Sequence, residues 1–303
     1  MRNYSHYFTF GGGFIPLNNR QKRAIFFRIL GYNAISAFYV LVGFLITIFL
    51  LGLLFFRLGP REQYYFFSAL FGIVVLLSAS MPIIVLVSKA EVVEDLVLIK
   101  WYDEVASNTK IFGFIPLIEV FRPTLYHAKM SCPNACAFGV NLFGLAKLPI
   151  FGSAIILSDE LLELYGNNKQ QLQAVIAHEL GHITSFDVGI VTGLAVLGSV
   201  SKLFYRSGLF LRVLIGFEFI LLLPIWLAWK IIGSSLSQLR ELVADLKSVQ
   251  STQNHIDLIN ALSRLAEHDK FASKQDPFSE LFISHPLVKD RVDRLKEIGE
   301  LDG

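Results

Sequence analysis

Within "QQLQAVIAHELGHITSFD" two histidines, His178 and His182, stand four residues apart, with Glu179 directly after the first. On a helix, residues four apart lie on one face, one turn above the other. Two neutral imidazoles so placed can share one Zn²⁺ at about 2.0–2.1 Å each. Glu179 falls about 100° round the helix from His178, beside such an ion rather than on it. A carboxylate there suits a general base acting on water. The bare three-residue pattern arises by chance in about 4% of chains this long. Ordinary core histidines on a buried helix therefore compete with the metal reading.

Catalytic zinc commonly takes three protein ligands and keeps one position open. The acidic candidates downstream are Asp187, Glu218, Glu241 and Asp245. Asp187 would point elsewhere on the same helix, and Glu218 lies inside a hydrophobic stretch. Glu241 and Asp245 sit one turn apart in the helix-like "SSLSQLRELVADLKS". One reading puts Glu241 on the metal, with Asp245 orienting a ligating histidine through its other ring nitrogen. The other makes both acids a solvated face paired with Arg240 and Lys247. On this segment alone the two stand level.

The elements that must carry these residues are legible in outline. Asn168 and Gln171 have the spacing of a capping box, which starts the helix of His178 and His182. Residues 110–158 read as strands and loops, "SAIILS" (153–158) being the clearest strand. "KAEVVEDLVLIKWYDEVASNTK" is charged and helical in rhythm, and "HIDLINALSRLAEHDK" has apolar residues at helical spacing. Cys132 and Cys136 are too few for a disulfide scaffold or a cysteine-only metal site, and are expected as free thiols.

Hydropathy adds a second theme. Of 303 residues, 53% are hydrophobic and 17% charged, with a mean hydropathy of +0.54, against about 25% charged in ordinary soluble domains. No charge interrupts Ile29–Phe56 or Gln63–Ser88, and each run exceeds the roughly 20 residues that cross a bilayer core. A cleaved signal peptide is excluded for the first, because the run is too long and no small-residue cleavage site follows before Arg57. Gly59–Pro60 marks the turn of a tight hairpin. Arg20, Lys22, Arg23 and Arg28 precede the first span, against Arg57 and Arg61 in the loop. The N-terminus and everything after the second span are thus expected in the cytoplasm. Residues 188–230 form a weaker hydrophobic hairpin, read as two further spans or as buried or interfacial helices. Lys202, Arg206 and Arg212 would then lie outside, against the charge rule. Glu218 in that zone is a functional candidate by its cost in a membrane. A net charge of +2, with no basic block interleaved with aromatics, gives no case for nucleic acid.

Four motifs in order, "PNACAFG" (133–139), "AHELGH" (177–182), "RELVAD" (240–245) and "SHPLVKDRVDRL" (284–295), resemble those of the HtpX-like membrane zinc metalloproteases, relatives of the CAAX prenyl endopeptidases. The resemblance runs over nearly the whole chain. It implies His178, His182 and Glu241 as zinc ligands, Glu179 as catalytic base, and an active site facing the cytoplasm. It also implies quality control of membrane proteins, with protein or peptide substrates and the lipid bilayer as partners. The family usually has Arg three residues before the glutamate ligand and an aromatic after it; here these are Gln238 and Leu242, while Arg240 matches. Asn134 lies in the motif that resembles the family's substrate-side strand. His285 is a candidate oxyanion donor, and Arg291 and Arg294 are expected in structural ion pairs.

The expected fold is α+β, mainly α: a zincin-like metalloprotease domain with two to four transmembrane helices. Its expected parts are an N-terminal cytoplasmic segment (1–33), a transmembrane hairpin (34–88), a first catalytic part (89–187), the second hydrophobic hairpin (188–230) and a second catalytic part (231–303). The expected activity is an integral membrane zinc endopeptidase in the cell membrane. A prenyl-protein endopeptidase and a membrane transporter or metal sensor are the alternatives.

Overall fold

A computed structural model describes residues 17–55, 84–86, 88–111, 115–130, 132–139, 152–185, 188, 238–269 and 288–300. The first element is one helix, α1 (Asn19–Phe55), 37 residues and roughly 55 Å long at 1.5 Å per residue. It crosses the expected 33/34 boundary without a break. Its start is a complete capping box. Gln21 N–H donates to Asn18 Oδ1 at 2.7 Å, and Asn18 N–H donates to Gln21 Oε1 at 2.9 Å. Among the described residues no helix is long and apolar enough to cross a membrane. Side chains on much of the second half of α1 lie outside the described residues, as do residues 56–83 of the expected hairpin, Glu218, and residues 189–230.

Next come β1 (Glu91–Val92), α2 (Leu96–Asn108), β2 (Lys110–Ile111), β3 (Ile115–Pro116), α3 (Leu117–Val120), β4 (Thr124–Ala128), β5 (Ala135–Gly139) and β6 (Ser153–Ser158). The main sheet has the order β1-β4-β6-β5. β6 lies parallel to β4 and antiparallel to β5, which is an edge among the described residues. All six residues of "SAIILS" are buried, which suits a strand covered on both faces and explains its unbroken apolar run.

Two helices follow, α4 (Asp159–Tyr165) and α5 (Lys169–Thr184), and α5 carries His178, Glu179 and His182. Asn168 caps α5 through its side chain, accepting from Gln171 N–H at 3.1 Å. The capping box is only half made. Asn168 N–H is taken by Tyr165 O at 2.7 Å, at the close of α4, so nothing is left for Gln171 to return to. A helix over 238–252 (α6), α7 (Ile256–Asp269) and α8 (Val288–Gly299) complete the described chain. The fold is α+β and mostly helical.

Every residue of α5 from Ala174 to Thr184 is buried, because the helix lies between two cores. One, built of β4, β5, β6, α2 and α4, receives Val175, Ile176, Leu180 and Ile183. The other joins Leu17, Ile25 and Ile29 of the N-terminal region to α6, α7 and α8, and takes Ala174 from α5. The start of α1 thus belongs to the core that α6, α7 and α8 build. Gln21 Nε2 fastens it further by donating to Ile298 O at 3.2 Å. Cys132 and Cys136 are free thiols, as expected.

Candidate metal centre

The approach of α5 to α6 decides the site. A Cβ on Gly181 would stand 2.9 Å from Ala244 Cα and 3.0 Å from Ala244 O, so glycine lets the two backbones meet there. Polar bonds hold the crossing on both sides. Ser248 Oγ donates to Ala174 O at 2.7 Å, and Lys247 Nζ donates to Thr184 Oγ1 at 3.0 Å. With the helices this close, Glu241 arrives one turn from Ala244 and faces the histidines.

His178, His182 and Glu241 form a buried triangle. Nε2 of His178 and Nε2 of His182 are 3.2 Å apart; each lies 3.4 Å from a Glu241 carboxylate oxygen. Three tetrahedral donors at roughly 2.0–2.2 Å from one zinc ion stand roughly 3.3–3.5 Å from each other. The residues therefore fit a small divalent cation, and all three ligand atoms lie within 4.8 Å of one another. Neither Glu241 (6% exposed) nor Asp245 (1%) sits on a solvated face.

Behind the triangle, Asp245 Oδ1 is 2.9 Å from His178 Nδ1. Burial raises the Asp245 carboxyl pKa, but the Arg291 guanidinium and the bond to His178 outweigh burial and hold it below the usual carboxylate range. An ionised carboxylate only accepts, so His178 Nδ1 carries the hydrogen and Nε2 keeps its lone pair toward the triangle. Burial and Arg291 lower the pKa of His178, yet its bonds to Asp245 and Glu241 leave it raised. A cation entering the triangle competes with a proton at that nitrogen.

Arg291 is the residue whose place the sequence did not reveal. It was expected in a structural pair, and it does pair, but with the candidate ligand Glu241 and with Asp245 behind it. Nε and Nη2 fork onto Asp245 at 2.8 and 2.6 Å, while Nη1 lies 3.3 Å from Glu241 Oε2. It is 7% exposed. Its pKa stands above the ordinary value, burial being outweighed by Asp245 and Glu241. One signal was available. Arg291 lies on the stripe of Val288, Val292, Leu295 and Ile298, a charge on the apolar face of α8. Arg294, expected in a similar pair, makes no ion pair with a described residue.

Glu179 is buried and tied to the sheet. Its Oε2 accepts from Ala137 N–H of β5 at 2.8 Å, and Oε1 makes no hydrogen bond with a described residue. Asn134 is joined to Ser158, donating through N–H to Ser158 Oγ and accepting from Ser158 N–H, both at 2.8 Å. This puts Asn134 in a hydrogen-bonded pair, so Ala135 and Ala137 turn their backbone groups away from β6, the N–H of Ala137 toward Glu179. Burial first, then the charge of Glu179, push the Cys136 thiol well above its ordinary pKa and keep it protonated. Asp187 and His285 lie outside the described residues.

Comparison with known proteins places this geometry. Residues 122–299, more than half of the chain, match peptidase family M48, and the chain belongs to that family. A protein called protease HtpX homolog from Streptococcus equi subsp. zooepidemicus is 27% identical over 193 residues, or 52% of this chain. The match spans 64% of that relative's length, just under two thirds. Proteins of the same name from Streptococcus pneumoniae and Campylobacter hominis are 27% and 28% identical, each over 59% of this chain and over 75% and 70% of their own. Ste24p of S. mikatae superposes with a TM-score of 0.49 and 21% identity, covering 88% of this chain and 66% of that one. That likeness is too loose to carry an argument.

Proposed function

We propose that this chain is an integral membrane zinc endopeptidase, with Glu179 as general base and His178, His182 and Glu241 holding the metal. The observation that carries the reading is the 3.2–3.4 Å triangle of donors with a tethered carboxylate on the adjoining turn. A bound Zn²⁺ would supply Lewis-acid polarisation of the scissile carbonyl and make water acidic enough to deprotonate near neutral pH. The chain does the rest. Ala137 N–H fixes one oxygen of Glu179, leaving Oε1 to take a proton from water and hand it to the leaving amine. Asp245 and Arg291 hold His178 in the tautomer that presents Nε2.

The open edge of β5 supports a peptide substrate. An extended segment can add to it as a further strand, through main-chain bonds that are indifferent to side chains. Asn134, at the head of that strand, is proposed to touch substrate, and His285 to donate to the developing oxyanion. Catalysis then draws on two parts, 89–187 and 231–303, with the start of α1 docked on the second.

Membrane anchoring is supported by the uncharged run Ile29–Phe56 within and just past α1, and by apolar side chains that α1 leaves in the open. Phe27 is 66% exposed, Phe38 63% and Leu45 56%, an apolar display of the kind that marks a lipid or partner surface. With the N-terminus and the metal group on the cytoplasmic side, suitable substrates are cytoplasm-facing segments of membrane proteins, as in a quality-control protease. The test is Glu179→Gln in the purified full chain. Zinc content is expected to stay at one per chain, while chelator-sensitive cleavage of an unfolded protein falls about 10²–10⁴-fold. Undiminished cleavage would remove Glu179 as the base.

A further inference from the structure

A cavity of about 210 Å³ opens between α1, α6 and α8, on the far side of Arg291 from the histidines. Arg28 and Tyr32 of α1 line it on one side and Arg291 and Arg294 of α8 on another, with Leu246 and Leu295 as apolar wall. The charge of Arg291 is taken up by Asp245 and Glu241. Arg28, half-buried, and Arg294, exposed, make no ion pair with any described residue. Two guanidiniums with no ion-pair partner among the described residues thus line one concave space, where Asp245 is already taken by Arg291 and Glu297 is the remaining carboxylate, an arrangement suited to bidentate recognition of phosphate.

The size and the neighbours of the cavity narrow the occupant. At about 210 Å³ it has room for a phosphate and a short ester. Arg28 is the last charge before the uncharged run beginning at Ile29. About 100° round α1 from Arg28, Phe27 is 66% exposed, and Phe38 (63%) and Leu45 (56%) continue its face. A ligand with its phosphate between Arg28 and Arg294 could lay an apolar tail along these residues. Glu297 also lines the cavity, and its carboxylate weakens the hold on an anion there.

We propose that this cavity binds the phosphate headgroup of an anionic phospholipid, held by Arg28 and Arg294, with the acyl chains along the exposed face of α1. Basic side chains at a membrane surface select anionic lipids in this way. The inference rests on the membrane reading of α1 and is independent of catalysis.

The experiment titrates the full chain, purified with its zinc in nonionic detergent, with dihexanoyl phosphatidate, dihexanoyl phosphatidylcholine or inorganic phosphate, followed by calorimetry. Phosphatidate is expected to bind about tenfold or more tightly than either of the others, and the Arg28→Gln/Arg294→Gln variant to lose about tenfold or more. Zinc content and thermal unfolding of the variant serve as folding controls. Glu297→Gln, which changes no cavity volume, is expected to tighten phosphatidate binding, and keeps the proposal testable should the double variant misfold. Equal binding by wild type and double variant, equal binding of phosphatidylcholine, or an unchanged affinity in Glu297→Gln would each overturn the site. Inorganic phosphate binding as tightly as phosphatidate would overturn the lipid as its occupant. Alkaline carbonate extraction separates the two ideas. Release of the chain from membranes sinks the membrane reading, whereas a retained chain with arginine-independent binding sinks only this site.

Discussion

Two arginine–aspartate pairs in this protein look alike on paper and differ in what surrounds them. Arg122 and Asp103 meet on the surface, their side chains 54% and 47% exposed. Arg291 and Asp245 meet behind the metal triangle, 8% and 1% exposed. In water the first pair gains little, because solvent already satisfies both charges and holding two long side chains costs entropy. In the interior the second pair cannot be relaxed by solvent. Each charge there is held by the other, and the same guanidinium also faces Glu241. A surface pair decorates a fold; the buried one holds Asp245 ionised and, through it, orients His178.

The largest break in this comparison is Arg291→Met. It leaves Asp245 and Glu241 buried without their cation and is expected to cost about 3–5 kcal/mol, read as a lower unfolding midpoint, with loss of zinc. Adding Asp245→Leu to it should recover part of that stability, since the remaining interior is closer to neutral. A single variant within error of wild type would show that the clamp compensates nothing.

Next is Gly181→Ala, which touches no charge. Its Cβ must displace the Ala244 backbone, so α5 and α6 are pushed apart and Glu241 withdraws from the histidines. About 1–3 kcal/mol of destabilisation is expected, together with weaker zinc binding. Wild-type zinc affinity in a folded variant would show that the close approach is not what delivers Glu241.

Asp245→Asn keeps the shape and removes the charge that orders His178. Zinc affinity should fall about 10–100-fold by competition with a chelator, while the chain stays folded. The smallest effect belongs to the surface pair. Asp103→Asn is expected to change stability by no more than about 0.5 kcal/mol, and to leave zinc content alone. A loss approaching that of Arg291→Met would undo the contrast between the two pairs.

Local features were the most legible in the sequence. "SAIILS" reads as a strand because a run of β-formers bounded by turns is a local pattern, and the structure places β6 on those same residues. The helix of His178 and His182 begins where Asn168 announces it. The half-made capping box shows the limit. Nothing in Asn168 or Gln171 reveals that Tyr165 O would take the hydrogen bond first, because that depends on how α4 ends. The continuous α1 adds what hydropathy does not address: a helical hydrogen-bond ladder runs from Asn19 to Phe55 without registering the change from charged to apolar side chains.

By itself the sequence determined which residue types stand at helical spacing: two imidazoles on one face, a carboxylate beside them, and two acids one turn apart on a later helix. Spacing along a helix is set by backbone geometry, so such patterns need no partner to be read. Only the tertiary structure decided between a solvated and a buried face for Glu241 and Asp245, tied Glu179 to Ala137, and brought Arg291 from the last helix into the metal group. Those are distances between residues 42 to 113 positions apart in the chain, and they depend on where a glycine lets two helices touch.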